Sequence, residues 1–143
     1  MIRTGHDVAR WVYKALHSCC DEGAEGIGLE KDGRLIAGVA YENWNGRSIV
    51  CHIVIEGRIT RYYLYAIFHY PFEYLGCDKI IVPIAQSNAE SIKLVENMGF
   101  TREATLRDAH PDGDLFLYSM ERQNCRFTGA RYGKIVTRSP ACA

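Results

Sequence analysis

Two successive strand-to-helix passages constrain this chain more than any other feature of its 143 residues. Between Arg47 and Phe100 an apolar strand (Ser48 to Glu56) leads through Gly57-Arg58 into a long aromatic helix (about Ile59 to Leu75). A second strand (Lys79 to Ala85) then leads into a short helix opened by Ser87-Asn88 and closed by Gly99-Phe100. The first turn of a helix presents unpaired amide hydrogens and a positive dipole end. A β-α-β-α order of this kind is suited to holding a phosphate-bearing ligand.

The strand from Ser48 is apolar on both faces. Ile49, Cys51, Ile53 and Ile55 fall on one, Val50 and Val54 on the other. It is therefore expected to be central and covered on both sides. The helix after it is apolar nearly all round, which predicts burial. Pro71 should kink or restart it, and Gly76 should stop it. Lys79 to Ala85 is expected to lie parallel to Ser48–Glu56 through a right-handed crossover. Pro83 cannot donate to a ladder, so one side of that strand should be open there. In the next helix Asn88 or Ser87 is the cap, Ala89, Ile92, Val95 and Met98 face inward, and Gly99 takes the position after the last turn.

Upstream, Val8, Trp11, Val12, Ala15, Leu16 and Cys19 recur at helical spacing across His6 to Cys19. Three strands follow, Gly26–Lys31, Arg34–Asn43 and Arg47–Glu56. Asp32-Gly33 and Asn45-Gly46 join them, dipeptides that favour type I′ turns and hence an antiparallel meander. Downstream, Phe100 to Arg107 and Asp114 to Met120 flank the turn His110-Pro111-Asp112-Gly113. The pattern fades after Phe127. The expected organisation is one domain over residues 1–127 and a tail over 128–143 carrying Arg131, Lys134, Arg138 and Pro140.

The formal net charge is zero, so there is no global basic footprint for nucleic acid. No apolar run reaches membrane-spanning length. Met1-Ile2-Arg3-Thr4 has no signal-peptide apolar region, so a cytoplasmic location is expected. The six cysteines include no C-x-x-C pair and are expected to be free thiols, with Cys51 in the core. His17 and His69 have no companions at ligand spacing, and no metal site is expected. Phosphate-loop and dinucleotide glycine motifs are absent.

Three groups of residues could carry chemistry. In Glu56-Gly57-Arg58-Ile59-Thr60-Arg61 the glycine permits close backbone approach and the arginines add charge against a phosphate. An ordinary strand-to-helix loop with solvated arginines fits the same spacing. Asn88 and Ser91 lie one turn apart and serve equally as a cap or as ligand contacts. His52 and Glu56, four apart on one strand, share a face with Val50 and Val54. A hydrogen-bonded core histidine is the plain reading of His52, and a base near neutrality is the functional one. His110 and Asp112 read as surface.

The order helix, three-strand meander, helix, strand, helix, hairpin resembles the GNAT family of N-acetyltransferases. The most specific match is Ser87-Asn88-Ala89-Glu90-Ser91 through Asn97-Met98-Gly99-Phe100, similar to the family's N-x-x-[SA]…G-F segment. Serine at the fourth place is similar to the ribosomal-protein and amino-acid acetyltransferase branch. Thr101 to Arg107 and the hairpin Asp112-Gly113-Asp114…Tyr118-Ser119-Met120 continue the likeness. The resemblance covers about Ile27 to Met120.

It implies an α+β fold with a mixed, mostly antiparallel sheet, splayed middle strands and helices on both faces. It also implies acetyl-CoA as cosubstrate and an acyl group passed to an amine by direct attack on the thioester. Ile53, Val54, Gly57, Arg58, Thr60, Arg61, Asn88 and Ser91 would hold acetyl-CoA, and His52, Glu56 and Ser91 would be catalytic. The chain departs from the family in two places. Its phosphate loop keeps one glycine, and Val95 stands where many members carry a tyrosine acid, with Tyr118 a distant substitute. The first strand before His6 is shortened or absent. A small-molecule or protein amine is the expected acceptor, without a membrane partner. Trp44, Tyr62 and Tyr74 would suit a homodimer interface or a substrate rim. Two alternatives fit the same sequence: a degenerate GNAT-fold domain that binds a macromolecule or nucleic acid without catalysis, and an acyltransferase that modifies nucleobases or tRNA.

Overall fold

The computed structural model describes residues 1–129. The expected tail from residue 128 therefore lies almost wholly outside the described residues. In chain order the elements are β1 (Ile2–Thr4), α1 (His6–Ala15), β2 (Glu25–Lys31), β3 (Arg34–Glu42) and β4 (Ser48–Ile55). There follow α2 (Arg61–His69), a π-helical turn (Tyr70–Tyr74), β5 (Lys79–Ala85), α3 (Ala89–Met98), β6 (Thr101–His110) and β7 (Gly113–Glu121). The seven strands form one sheet in the order β1-β2-β3-β4-β5-β7-β6. Only β4 and β5 run parallel, and the other neighbours are antiparallel.

One predicted turn is present and one is not. Asp32 and Gly33 both take positive φ, 53° and 79°, as a type I′ turn between β2 and β3 requires. Between β3 and β4 only Gly46 of the Asn45-Gly46 pair has positive φ. There the Asn45 side-chain oxygen accepts from the amides of Arg47 and Ser48, at 2.9 and 2.8 Å. A side chain able to satisfy two amides builds a wider loop in place of the two-residue turn.

The strand expected to be shortened or absent before His6 is the three-residue β1, paired with β2 from Ile2↔Leu29 to Thr4↔Ile27. Helix α1 is shorter than its apolar spacing suggested, because His17 turns left-handed (φ 55°) just past Leu16.

Helix α2 begins two residues later than expected, with Thr60 as its cap and the Thr60 hydroxyl accepting from the Tyr63 amide at 3.1 Å. Pro71 interrupts it as expected. Proline supplies no amide hydrogen for the Ile67 carbonyl one turn back. The buried Tyr41 hydroxyl donates to that carbonyl instead, at 2.6 Å. The turn beyond widens to π spacing, with the Leu75 amide donating to the Tyr70 carbonyl. Gly76 (φ 70°) then ends the helical run.

The sheet has two dressed faces. On one, Ile49, Cys51 and Ile53 pack with Tyr63, Phe68 and Phe72 of the α2 region and with Val95 and Met98 of α3. On the other, α1 lays Ala9, Val12 and Tyr13 against Ala40 and Val54. A Cβ on Gly26 of β2 would sit 2.6 Å from the Ala9 amide nitrogen, so α1 approaches closely only because that residue is glycine. Trp44 and Tyr74 are exposed, and Tyr62 is half-buried. Cys51 and Cys77 are buried, and Cys19, Cys20, Cys51, Cys77 and Cys125 are free thiols. No helix among the described residues is long and apolar enough to cross a membrane, and no described cluster could hold a metal ion.

Candidate functional site

β4 and β5 are paired only at their beginnings. The register runs Ser48↔Lys79, Ile49↔Ile80, Val50↔Ile81 and stops there, although β4 continues to Ile55 and β5 to Ala85. Beyond Val50 the two strands splay.

Pleat alternation identifies the backbone groups that face this gap. The Glu56 amide donates to Ile36, so even-numbered residues of β4 turn toward β3. The Arg47 carbonyl accepts from Asp78, so odd-numbered residues turn toward β5. Ile53 and Ile55 therefore offer their N–H and C=O to the gap, while the Val54 amide serves β3. On β5 the Gln86 amide donates to Asp114 of β7, which leaves odd-numbered residues facing the gap. Pro83 is one of them. Its missing N–H falls on the open side and costs the sheet no ladder bond.

Two cavities meet at the gap. A larger one of about 730 Å³ runs along β4 from Ile53 to Glu56 and along α3 past Asn88, Ser91 and Leu94. A smaller one of about 150 Å³ lies among Leu16, Ser18, His52, Pro83, Ser91 and His110. Leu16, Ile53, Asn88 and Ser91 line both. Asn88 caps α3, its side-chain oxygen accepting from the Ser91 amide at 3.2 Å. That bond fixes both residues at the junction.

The turn after β4 is organised by packing. A Cβ on Gly57 would lie 3.0 Å from the Ile36 Cβ, and the amides of Gly57 and Glu56 both donate to the Ile36 carbonyl. The Gly57 amide is thus already engaged by β3. The Thr60 hydroxyl caps α2. Arg58 and Arg61 are exposed at the helix start, and Arg58 borders a separate hollow with Met1 and Ile59.

His52 and Glu56 share the same ladder parity but line different cavities. β4 ends at Ile55, the Glu56 amide carries its ladder one step further onto the Ile36 carbonyl, and Glu56 is exposed beside the larger cavity. His52 opens into the smaller one. Its Nε2 donates to Glu42 Oε1 at 2.8 Å, and each side chain is 16% exposed. The second Glu42 oxygen accepts from the Tyr13 hydroxyl, also at 2.8 Å. The Tyr13 ring stands 5.2 Å from the His52 ring, centroid to centroid. Burial first, and then the Glu42 carboxylate, push the Tyr13 phenol well above its ordinary pKa, so it remains a donor.

Glu42 and Tyr13 were missed in the sequence. The available signal was register: Ala40 opposes His52, which places Glu42 diagonally across from it on the same face. His110 was read as surface, yet it lines the smaller cavity, its Nδ1 accepting from the Asp112 amide at 3.1 Å. Val95 is buried against that cavity and brings no phenol to it. Tyr118 donates to Glu96 at 2.8 Å and borders a different basin of about 660 Å³, where β4 and β5 are still paired. Four charged side chains of that basin pair with one another, Lys79 with Glu103 and Arg47 with Asp78, and Glu121 accepts from Gln123.

No protein-family model matches the chain, and no curated protein matches it in sequence. Solved structures do match. Mutant forms of the spermidine/spermine N-acetyltransferase SpeG from Vibrio cholerae superpose with a TM-score of 0.64 at 19% identity, covering 86% of this chain and 95% of that one. Spermidine N-acetyltransferase from Vibrio cholerae in complex with CoA and spermine gives a TM-score of 0.61 at 22% identity, over 80% of this chain and 74% of that one. A probable acetyltransferase gives 0.60 at 23% identity, over 80% and 67%. The chain therefore has the fold of the GNAT N-acetyltransferases.

Proposed function

We propose that this chain is an N-acetyltransferase that passes the acetyl group of acetyl-CoA to an amine by direct attack on the thioester. The observation that carries this reading is the splayed pair β4/β5, with the unpaired backbone edge of Ile53 and Ile55 facing Pro83. An arm containing amides, such as pantetheine, can pair with such an edge as a strand would. The larger cavity has room for it, and Asn88 and Ser91 line it where it meets the smaller one. Arg58, Arg61 and the first-turn amides of α2 would meet the pyrophosphate from the helix N-terminus. With the Gly57 amide committed to Ile36, charge rather than a glycine cradle would supply most of that contact.

The thioester would sit where the two cavities meet, and the amine would arrive through the smaller one. The Ile53 N–H would stabilise the oxyanion. His52 takes the proton from the attacking nitrogen as the C–S bond breaks and the thiolate leaves. Ser91 stands at the junction to hold a water or a polar group. Holding the amine against the carbonyl accounts for much of the acceleration, on the order of several kcal/mol.

The likeness to the ribosomal-protein and amino-acid branch rests on Ser91 and the segment 87–100 alone. Two of the structural neighbours are a spermidine/spermine and a spermidine N-acetyltransferase. The acceptor proposed here is accordingly an amine of either kind, a small molecule or a protein amine. Free thiols at Cys51 and Cys77 suit a reducing, cytoplasmic setting.

A thermal shift with acetyl-CoA tests the reading. Ligand at a hundred times its Kd should stabilise the fold by about 2.7 kcal/mol. No shift at millimolar acetyl-CoA would sink the enzyme reading and favour the non-catalytic binding domain, for which the engaged Gly57 amide speaks. In the active protein His52→Ala should lower kcat while Glu56→Ala leaves it nearly intact, because only His52 faces the smaller cavity. Unchanged turnover in both would remove the base.

A further inference from the structure

We propose that Glu42 and Tyr13 are positioning residues for His52, forming a three-member relay from α1 through β3 to β4. The inference rests on the acyl-transfer reading for its kinetic consequence, although the relay itself can be observed without turnover. Glu42 spends one carboxylate oxygen on His52 Nε2 and the other on the Tyr13 hydroxyl, both at 2.8 Å. A carboxylate only accepts, so the His52 proton resides on Nε2 and the Nδ1 lone pair is left as the imidazole's acceptor. Tyr13 is anchored in the small core of Ala9, Val12 and Ala40, so its hydroxyl is a fixed point. The Glu42 carboxylate is thereby pinned at both ends, and the imidazole cannot rotate without breaking a bond to a largely buried charge.

The proton balance is complete. The amine lone pair forms the new C–N bond at the thioester carbonyl, the N–H bond of that nitrogen breaks as an N–H bond forms at His52 Nδ1, and the electrons of the C–S bond leave with the thiolate. The resulting imidazolium donates from Nε2 to Glu42 in a charge-assisted bond stronger than the neutral one it replaces. Glu42 therefore stabilises the state that exists during transfer more than the resting state, which is the condition for raising kcat rather than tightening binding. Glu42 does not itself take the proton. Tyr13 acts one bond further away, holding the carboxylate in line with the imidazole.

The test uses the full chain and two readouts. In nitrogen-15 spectra of the imidazoles, with His52→Gln to assign the resonance, the wild type should show a protected, downfield proton on His52 Nε2. Glu42→Gln should move that proton upfield or expose it to exchange. In kinetics Glu42→Gln should lower kcat by about a hundredfold with the KM for acetyl-CoA unchanged, and Glu42→Asp, whose shorter arm cannot span both partners, should not rescue it. Tyr13→Phe, which keeps the ring, should lower kcat several-fold with the same KM. If Glu42→Gln disturbs folding, Tyr13→Phe carries the test. A wild-type His52 without a protected Nε2 proton overturns the relay, and so does a Tyr13→Phe protein with unchanged kcat. A protein with the spectral signature but no acetyl transfer would keep the relay and discard the acyl-transfer reading.

Discussion

Substituting alanine for Gly57 separates two reasons for a glycine after β4. One is room for a phosphate; the other is contact with β3. The added Cβ would lie 3.0 Å from Ile36 Cβ and 3.2 Å from Ile36 Cδ1. The first of these atoms cannot move by a change of rotamer. Relief requires the end of β4 to back away from β3, which strains the two amides shared on the Ile36 carbonyl. Overpacking of this kind costs about 1–3 kcal/mol. Alanine also restricts the unfolded chain, which returns about 0.4–1 kcal/mol where the native φ suits it. The net expectation is a destabilisation of about 1 kcal/mol, or a fall in Tm of about 3 °C for a chain of this size. Urea denaturation gives the stability, and thermal scans with and without acetyl-CoA give the ligand effect in the same samples. Gly57→Ala should lower the midpoint and keep the ligand-induced shift. The reverse pattern, an unchanged midpoint with the shift lost, would refute the packing account and return Gly57 to the phosphate.

Other expectations follow from the buried phenols. Tyr41→Phe leaves the Ile67 carbonyl without the donor that replaces the Pro71 amide, which should cost about 1–3 kcal/mol in urea denaturation; an unchanged midpoint would mean that water reaches that carbonyl. Burial raises the pKa of Tyr13, Tyr41 and Tyr63 in the folded state. The native chain thus keeps protons that the unfolded chain releases from about pH 10 upward, so stability is full below that pH and falls above it. Phenolate absorbance from these three should appear together with loss of far-ultraviolet signal, and independent titration before unfolding would contradict the burial.

The parts legible in the sequence were those written in local chemistry. Pro83 announced the open edge because a missing amide hydrogen is a property of one residue. Asn88 and Gly99 bracketed α3 because caps demand particular side chains and φ values. The alternation in β4 gave its two covered faces. Contacts set by register were less accessible. Glu42 meets His52 across a strand pair whose alignment depends on a five-residue loop, and that loop was misread as a two-residue turn. Tyr13 arrives from a helix packed over both strands, and no spacing along the chain encodes that meeting. Gly57 was given a functional reason because its neighbour Ile36 is invisible until β3 and β4 are aligned.

The short pairing of β4 with β5 has a mechanical consequence. Strands β1 to β4 form one plate and β5, β7 and β6 another, and in the sheet they are joined at Ser48↔Lys79, Ile49↔Ile80 and Val50↔Ile81 alone. A ligand seated along Ile53 and Ile55 would act as a wedge that bonds to one plate and braces the other. The stiffness of the molecule would then report occupancy, with the two plates free to breathe about that short seam when the wedge is out and clamped when it is in.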